Sequence, residues 1–312
     1  MKKRARRIGW LLLILFLVVN AVCFMHAWKF THFADASTEK TSAYNLSVFD
    51  KIKALALGVD QPRPVHKITP TVPYEKVYIQ SNKKIAGWYM PVEKSKGTII
   101  LFHGYGGEKS SMLDKAAIFA EMGYHTLVID FMGSGESAGN QTTIGFKEGK
   151  QVQSAYEYIQ QKEEKNIYLF GTSMGAAAIL KCMNDTALTP KGIILECPFG
   201  SLYQTTSARF KKMGIPAFPM AGLLVFWGGI QNGFWGFAHQ PQQYAKAVKS
   251  PVLLFYGEKD DRVSRAETDR IYTSLNGPKE LITFPEAGHE NYLIRYKQEW
   301  TRAVTDFINQ TP

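Results

Sequence analysis

Residues 166–181 read NIYLFGTSMGAAAILK, and their interpretation decides how the rest of the chain is read. Ile167, Tyr168, Leu169 and Phe170 form a β-branched and aromatic run suited to a buried strand. Ala176, Ala177, Ala178, Ile179 and Leu180 are mostly strong helix formers. Between the two lies the turn Gly171-Thr172-Ser173-Met174-Gly175. A serine there sits at a helix N-terminus, where free N–H groups and the helix dipole favour developing negative charge. Glycines on both sides permit the strained backbone and close packing of a nucleophile elbow. The same residues also describe a plain strand-to-helix turn with a capping serine, and the five-residue pattern arises by chance. The remaining chain has to supply a base, an acid and an oxyanion hole.

Working outward, strand-like and helix-like segments alternate from Tyr74 onward. Strands are expected at 74–80, 85–90, 98–102, 125–129, 167–170, 192–195, 252–256 and 280–284, the first two as a hairpin around Ser81-Asn82-Lys83-Lys84. Helices are expected at 110–122, 146–162, 173–183, 265–275 and 291–308. A hairpin followed by repeated β–α units argues for an α/β fold, a mostly parallel sheet with helices on both faces. Ligands of such sheets sit at the carboxyl ends of the strands.

Three further strand ends carry polar chemistry. One leads into His103-Gly104-Tyr105-Gly106-Gly107, another into Asp130-Phe131-Met132-Gly133-Ser134-Gly135-Glu136-Ser137. A third leads into Gly257-Glu258-Lys259-Asp260-Asp261-Arg262-Val263, and past the last strand comes Ala287-Gly288-His289-Glu290-Asn291. A serine, an acid and a histidine thus follow in chain order, each just beyond a strand. On these residues the sequence resembles the α/β-hydrolase superfamily, from about Tyr74 to the C-terminus, and is most similar to its small-cap serine hydrolases. The resemblance implies eight strands with helices on both faces and a short cap. It implies Ser173 as nucleophile, His289 as base and Asp260 as the acid that orients the imidazole. Backbone N–H groups of Tyr105 and Met174 would serve the oxyanion. The segment from Asp130 to Ser137 is similar to that branch's D-x-R-G-x-G-x-S loop, with Met132 in the arginine's place. His103 reads as structural. A phosphate loop at Gly133-Ser134-Gly135 fails, because G-x-G-x-x-G is not completed there.

The N-terminus adds a second theme. The chain has 312 residues, 45% hydrophobic, and a formal charge of +10. Lys2, Lys3, Arg4, Arg6 and Arg7 supply half of that charge, and no basic run with interleaved aromatics occurs elsewhere, so no nucleic-acid partner is expected. Residues 8–28 behind the cluster are almost wholly apolar and long enough to span a bilayer. The favoured reading is an uncleaved signal anchor at 1–28 in a single-pass membrane protein, its N-terminus cytoplasmic and its body extracytoplasmic. A cleaved signal peptide ending at Ala34-Asp35-Ala36 is the alternative. Residues 29–73 read as a stalk and 74–312 as the hydrolase domain. Three cysteines make no disulfide scaffold. Neither a C-x-x-C nor an H-x-x-x-H spacing exists, so no metal or cofactor is expected.

An apolar insert at about 200–245 completes the reading. No Lys, Arg, Asp or Glu occurs between Lys212 and Lys246. A single membrane crossing there would part Ser173 from Asp260 and His289, so the insert is expected to cap the site or dip into a membrane surface. Phe226, Trp227, Phe234 and Trp235 are candidates for an acyl or lipid pocket, with an apolar hairpin of core helices as the alternative. The function expected is cleavage of an ester or thioester in a small or lipid-like acyl substrate through an acyl-enzyme. A peptidase or amidase, an acyltransferase and a catalytically silent scaffold are the rivals.

Overall fold

The computed structural model describes residues 2–38, 48–214 and 216–311; the part of the expected stalk at 39–47 lies outside them. Eight strands form one sheet: β1 Glu75–Ile79, β2 Ile85–Met90, β3 Thr98–Phe102, β4 His125–Asp130, β5 Ile167–Thr172, β6 Gly192–Glu196, β7 Val252–Gly257 and β8 Lys279–Phe284. Their order across the sheet is β1-β2-β4-β3-β5-β6-β7-β8. The first two pairings, β1 with β2 and β2 with β4, are antiparallel, and every later one is parallel. Helices follow in chain order: α1 Lys2–Thr31, α2 Val48–Leu57, α3 Leu113–Glu121, α4 Glu148–Gln160 and α5 Met174–Asp185. After β6 come α6 Leu202–Lys212, α7 Met220–Gln231 and α8 Pro241–Tyr244; α9 Arg265–Ser274, α10 Tyr292–Arg295 and α11 Lys297–Gln310 complete the chain.

The central strands are buried on both faces, which explains why they read as continuous apolar runs and not as alternating ones. Period two still sorts their side chains. Ile100, Phe102, Leu169, Ile193 and Leu254 join the core shared with α4 and α5. Ile99, Leu101, Phe170, Ile194 and Phe255 join the opposite core, where Phe119 of α3 and Trp300 of α11 are buried.

Two expected helices are each split. Residues 110–122 become a 3₁₀ turn, Lys109–Met112, and then α3, because Glu108 caps the turn by accepting from the Ser110 N–H. Residues 291–308 divide at Tyr296 into α10 and α11. The larger difference concerns the stalk. Helix α1 runs on to Thr31, and the chain beyond it is tied to the domain instead of spacing it away. The Phe33 N–H donates to the Asn140 carbonyl (2.6 Å) and the Ala34 N–H to Gln61 (2.8 Å). Arg63 drives its guanidinium into the loop after β4, donating to the carbonyls of Gly135 (3.1 Å), Ser137 and Gly139. That loop lacks an arginine of its own at Met132, and Arg63 brings one from outside.

Candidate active site

The elbow forms where β5 ends and α5 begins. Ser173 has φ +53° and ψ −106°, a backbone conformation that side-chain-bearing residues rarely adopt. The turn is held from both sides. The Ser173 N–H donates to the Glu196 carbonyl at 2.8 Å, and the Ala177 N–H donates back to Ser173 at 2.9 Å as the first helical bond. Gly175 is needed for packing: a Cβ there would run into the Phe102 carbonyl of β3. Ser173 therefore lies outside the expected helix start, raised above the sheet.

His289 bridges the other two polar groups. Its Nε2 is 3.0 Å from Ser173 Oγ and its Nδ1 is 2.8 Å from Asp260 Oδ2. In the neutral ring this arrangement suits Nδ1–H donating to the carboxylate and Nε2 accepting from the serine hydroxyl. The other carboxylate oxygen of Asp260 accepts from the backbone N–H groups of Arg262 (2.8 Å) and Val263 (2.9 Å). Val263 is buried and pins that loop, while Asp261 turns outward to pair with Lys212. Burial disfavours the His289 imidazolium, but the Cys197 sulfur and the Asp260 carboxylate outweigh it and raise the histidine above its ordinary value.

Tyr105 and Met174 flank the serine. Met174 is the first residue of α5, so its N–H has no partner within the helix. The loop carrying Tyr105 passes close to the elbow: a Cβ on Gly104 would lie 3.7 Å from Ser173 Cβ. His103 is fully buried; its Nε2 accepts from the Phe131 N–H (3.1 Å), leaving Nδ1 to donate to the Gly104 carbonyl (2.8 Å). It shapes the loop and does not face the serine hydroxyl.

Two groups that the sequence did not single out support the elbow and the histidine loop. Glu196, fully buried, accepts from Thr172 Oγ1 (2.8 Å) and from Trp300 Nε1 (2.8 Å), with Lys115 Nζ at 3.6 Å. Lys115 also donates to Asn291 Oδ1 at 2.7 Å, two residues beyond His289. Cys197, buried at φ +39°, places its sulfur near the triad; the ligand atoms of Cys197, Asp260 and His289 all lie within 4.8 Å of one another. A cation held there would take Nδ1 away from Asp260, so this donor set and the hydrogen bond that orients the ring exclude each other.

Over this side of the sheet, α6 and α7 form a helical hairpin that meets α1. An apolar cavity of about 640 Å³ lies between the three helices. Ser173 and His289 do not line it. It lies to their side, where Phe30 and Arg209 line it and also pack on Tyr105. Of the four aromatic candidates in the insert, the structure brings only Phe234 to the cavity. Trp227 turns to α1, edge-on to Phe24 at 5.3 Å with its Nε1–H on Asn20 Oδ1 at 3.2 Å. Phe226 packs on Trp227 and Trp235, and Trp235 is exposed. The place of Trp227 follows from the face of α7 that α1 occupies, which is invisible in a local reading.

Comparison with known proteins agrees with this architecture. A family model described as serine aminopeptidase, S33, matches residues 93–225. Uncharacterized protein YqkD of Bacillus subtilis (strain 168) is 23% identical over 229 residues, covering 72% of this chain and 75% of that protein. Lysophosphatidylserine lipase ABHD12 of Danio rerio is 25% identical over 247 residues, covering 73% of this chain and 63% of that protein. Among solved structures, the Pyrococcus furiosus esterase PF2001 matches with a TM-score of 0.68 at 23% identity, over 80% of this chain and 97% of that one.

Proposed function

The chain has the α/β-hydrolase fold, and we propose that it is a membrane-anchored serine hydrolase cleaving carboxylic esters or thioesters of apolar acyl substrates. The observation that carries this reading is His289 within hydrogen-bond reach of both Ser173 and Asp260. Ser173 Oγ attacks the carbonyl carbon while His289 Nε2 takes its proton. The tetrahedral oxyanion accepts from the Tyr105 and Met174 N–H groups, donors fixed in place before the reaction begins. Collapse expels the alcohol or thiol, which receives the proton from His289, and leaves an acyl-serine. Water then attacks the acyl group while His289 takes its proton, and the second tetrahedral intermediate expels Ser173 Oγ, which receives that proton as the acid leaves. Asp260 holds the ring through Nδ1 and stabilises the imidazolium at each transfer.

An apolar cavity beside the elbow favours acyl substrates, and one relative's name, lysophosphatidylserine lipase, points the same way. A second reading comes from the family description, which names an aminopeptidase. Among the described residues the cavity lining contains no aspartate or glutamate to receive a peptide's amino terminus, which favours the ester. Ser173→Ala is expected to abolish fluorophosphonate labelling and to cut hydrolysis of an activated ester by at least about 10³-fold, with the fold intact by circular dichroism. Wild-type labelling of that variant would rule the nucleophile out. Faster turnover of an aminoacyl anilide than of any ester would favour the peptidase.

A further inference from the structure

Helix α1 is longer than its free surface. From Ile8 to Val18 every residue is exposed, most of them large and apolar. At 1.5 Å per residue, those eleven positions extend only about 17 Å. A bilayer's hydrocarbon core is roughly 30 Å thick, a length that α1 reaches only by continuing to about Trp28. Over that second half, however, α1 is not bare. Trp227 bonds to Asn20, Gln231 Nε2 donates to the Phe24 carbonyl at 2.8 Å, and Gly228 packs against Ala27 and Thr31. If α1 spans the membrane, α7 is immersed in the leaflet on the domain's side. The chemistry of the cap fits that depth. It carries no charge between Lys212 and Lys246, and it exposes Phe218 (83%), Met213 (61%), Trp235 (54%) and Ile230 (53%).

The cavity lies between these same helices. Along α1 its wall runs from Val22 to Thr31, about 14 Å of helix. At the Val22 end Met220 Sδ lies 3.9 Å from Cys23 Sγ, and if α1 spans the membrane this end lies nearer the bilayer midplane. At the Thr31 end sits Arg209, the only Lys or Arg among the described lining residues, with its guanidinium 4.1 Å from the Phe30 ring and 5.3 Å from the Tyr105 ring. Among the described residues no carboxylate lies within ion-pair distance of Arg209. At roughly the 30 Å³ that a water-sized group occupies in a liquid, 640 Å³ holds about twenty such groups. That is room for one long acyl chain with its ester.

We propose that this cavity is the site for a single-chain anionic membrane lipid, which enters sideways from the leaflet. The methyl end lies toward Met220 and Val22, the ester beside Tyr105, and the anionic group within reach of Arg209. This is the orientation that a lipid already has in its leaflet, so it enters without turning over. Helix α1 is then a wall of the substrate site as well as an anchor. The proposal rests on the hydrolase reading above and names the substrate class for that same site.

Two measurements on the full-length protein in phosphatidylcholine vesicles test it. Thr206→Trp and Leu224→Trp each fill the cavity from a different helix. Each is expected to lower kcat/KM for 1-palmitoyl lysophosphatidylglycerol at least tenfold more than for 4-nitrophenyl acetate. An equal effect on the two substrates overturns the site. Arg209→Met is expected to shift preference from lysophosphatidylglycerol toward uncharged monopalmitoylglycerol, and an unchanged ratio removes the anion from the proposal. Depth is read independently with nitroxides at Phe218→Cys and Ile230→Cys, since Cys23, Cys182 and Cys197 are all buried. Both labels are expected to be relaxed by oxygen in the lipid phase, like one at Ile14→Cys, and shielded from an aqueous nickel chelate. Aqueous cap labels beside a lipid-phase Ile14 label overturn sideways access even where a cavity variant fails to fold. Loss of the hydrolase reading shows separately, as absent fluorophosphonate labelling of the wild type.

Discussion

Asp260 and Asp261 carry the same side chain one residue apart, and their surroundings separate them. Asp260 has one oxygen on His289 and the other on two backbone N–H groups, so its charge is held in one orientation. Asp261 faces solvent and Lys212. Asp260→Asn is expected to cost on the order of 10⁴-fold in turnover, because the imidazole loses its orienting carboxylate. Asp261→Asn should leave activity unchanged and shift stability by less than about 0.5 kcal/mol, as surface changes do. Assaying both on one activated ester decides the matter, and an inactive Asp261→Asn would transfer the role to the neighbour. His289 adds a dependence on pH. Catalysis needs the neutral ring, and the raised pKa means the ring becomes neutral only at higher pH. The acid limb of kcat/KM is therefore expected above pH 6.5, the ordinary histidine value. A wild-type limb at or below 6.5 would contradict the environment described for this ring.

At the level of elements, the elbow shows why backbone chemistry was readable and side-chain support was not. Strand β5, the turn and α5 are specified by neighbours in sequence, and so are the other central strands, each a short apolar run closed by a turn. Gly175 belongs to the same local grammar, and the structure gives its reason in the closeness of the Phe102 carbonyl. Gly175→Ala is expected to destabilise the fold by about 1–3 kcal/mol, since the obstruction is backbone and cannot rotate away. A lower denaturant midpoint at unchanged m-value would show it, whereas an unchanged midpoint would mean the elbow can shift at little cost. Glu196 and Lys115 were not legible in the same way. Their partners Thr172, Trp300 and Asn291 lie on other elements, and a buried carboxylate looks like any other glutamate in sequence. The aromatic candidates divide between two surroundings for a related reason. Apolar composition marks α7 as buried against something, but not whether the cavity or α1 takes a given face. Phe234 meets the cavity and Trp227 meets α1.

For the whole molecule the open choice is between anchor and cleaved leader, and the packing of residues 30–34 bears on it. Cleavage after Ala36 would remove every residue on the N-terminal side of Ser37. Phe30 stacks on Tyr105 at 4.7 Å, and the Tyr105 hydroxyl donates to the Phe30 carbonyl at 2.8 Å. The Thr142 N–H donates to the Thr31 carbonyl at 2.8 Å, and Phe33 is buried. A protein that discards this segment would strip one side from the loop bearing an expected oxyanion donor and open the cavity to water. Retention costs nothing comparable if α1 spans a bilayer, where the exposed apolar residues 8–18 face lipid. Five basic residues ahead of them favour a cytoplasmic N-terminus. The membrane fraction is therefore expected to hold full-length protein with Lys2 or Met1 at its N-terminus, and a C-terminal reporter should be active only on the extracytoplasmic side. A soluble product beginning near Ser37 that still hydrolyses long-chain esters would defeat both the anchor and the part assigned to α1 in the cavity. A cytoplasmic reporter on an intact membrane protein would leave the cavity in place and reverse only the side of the bilayer from which it is filled.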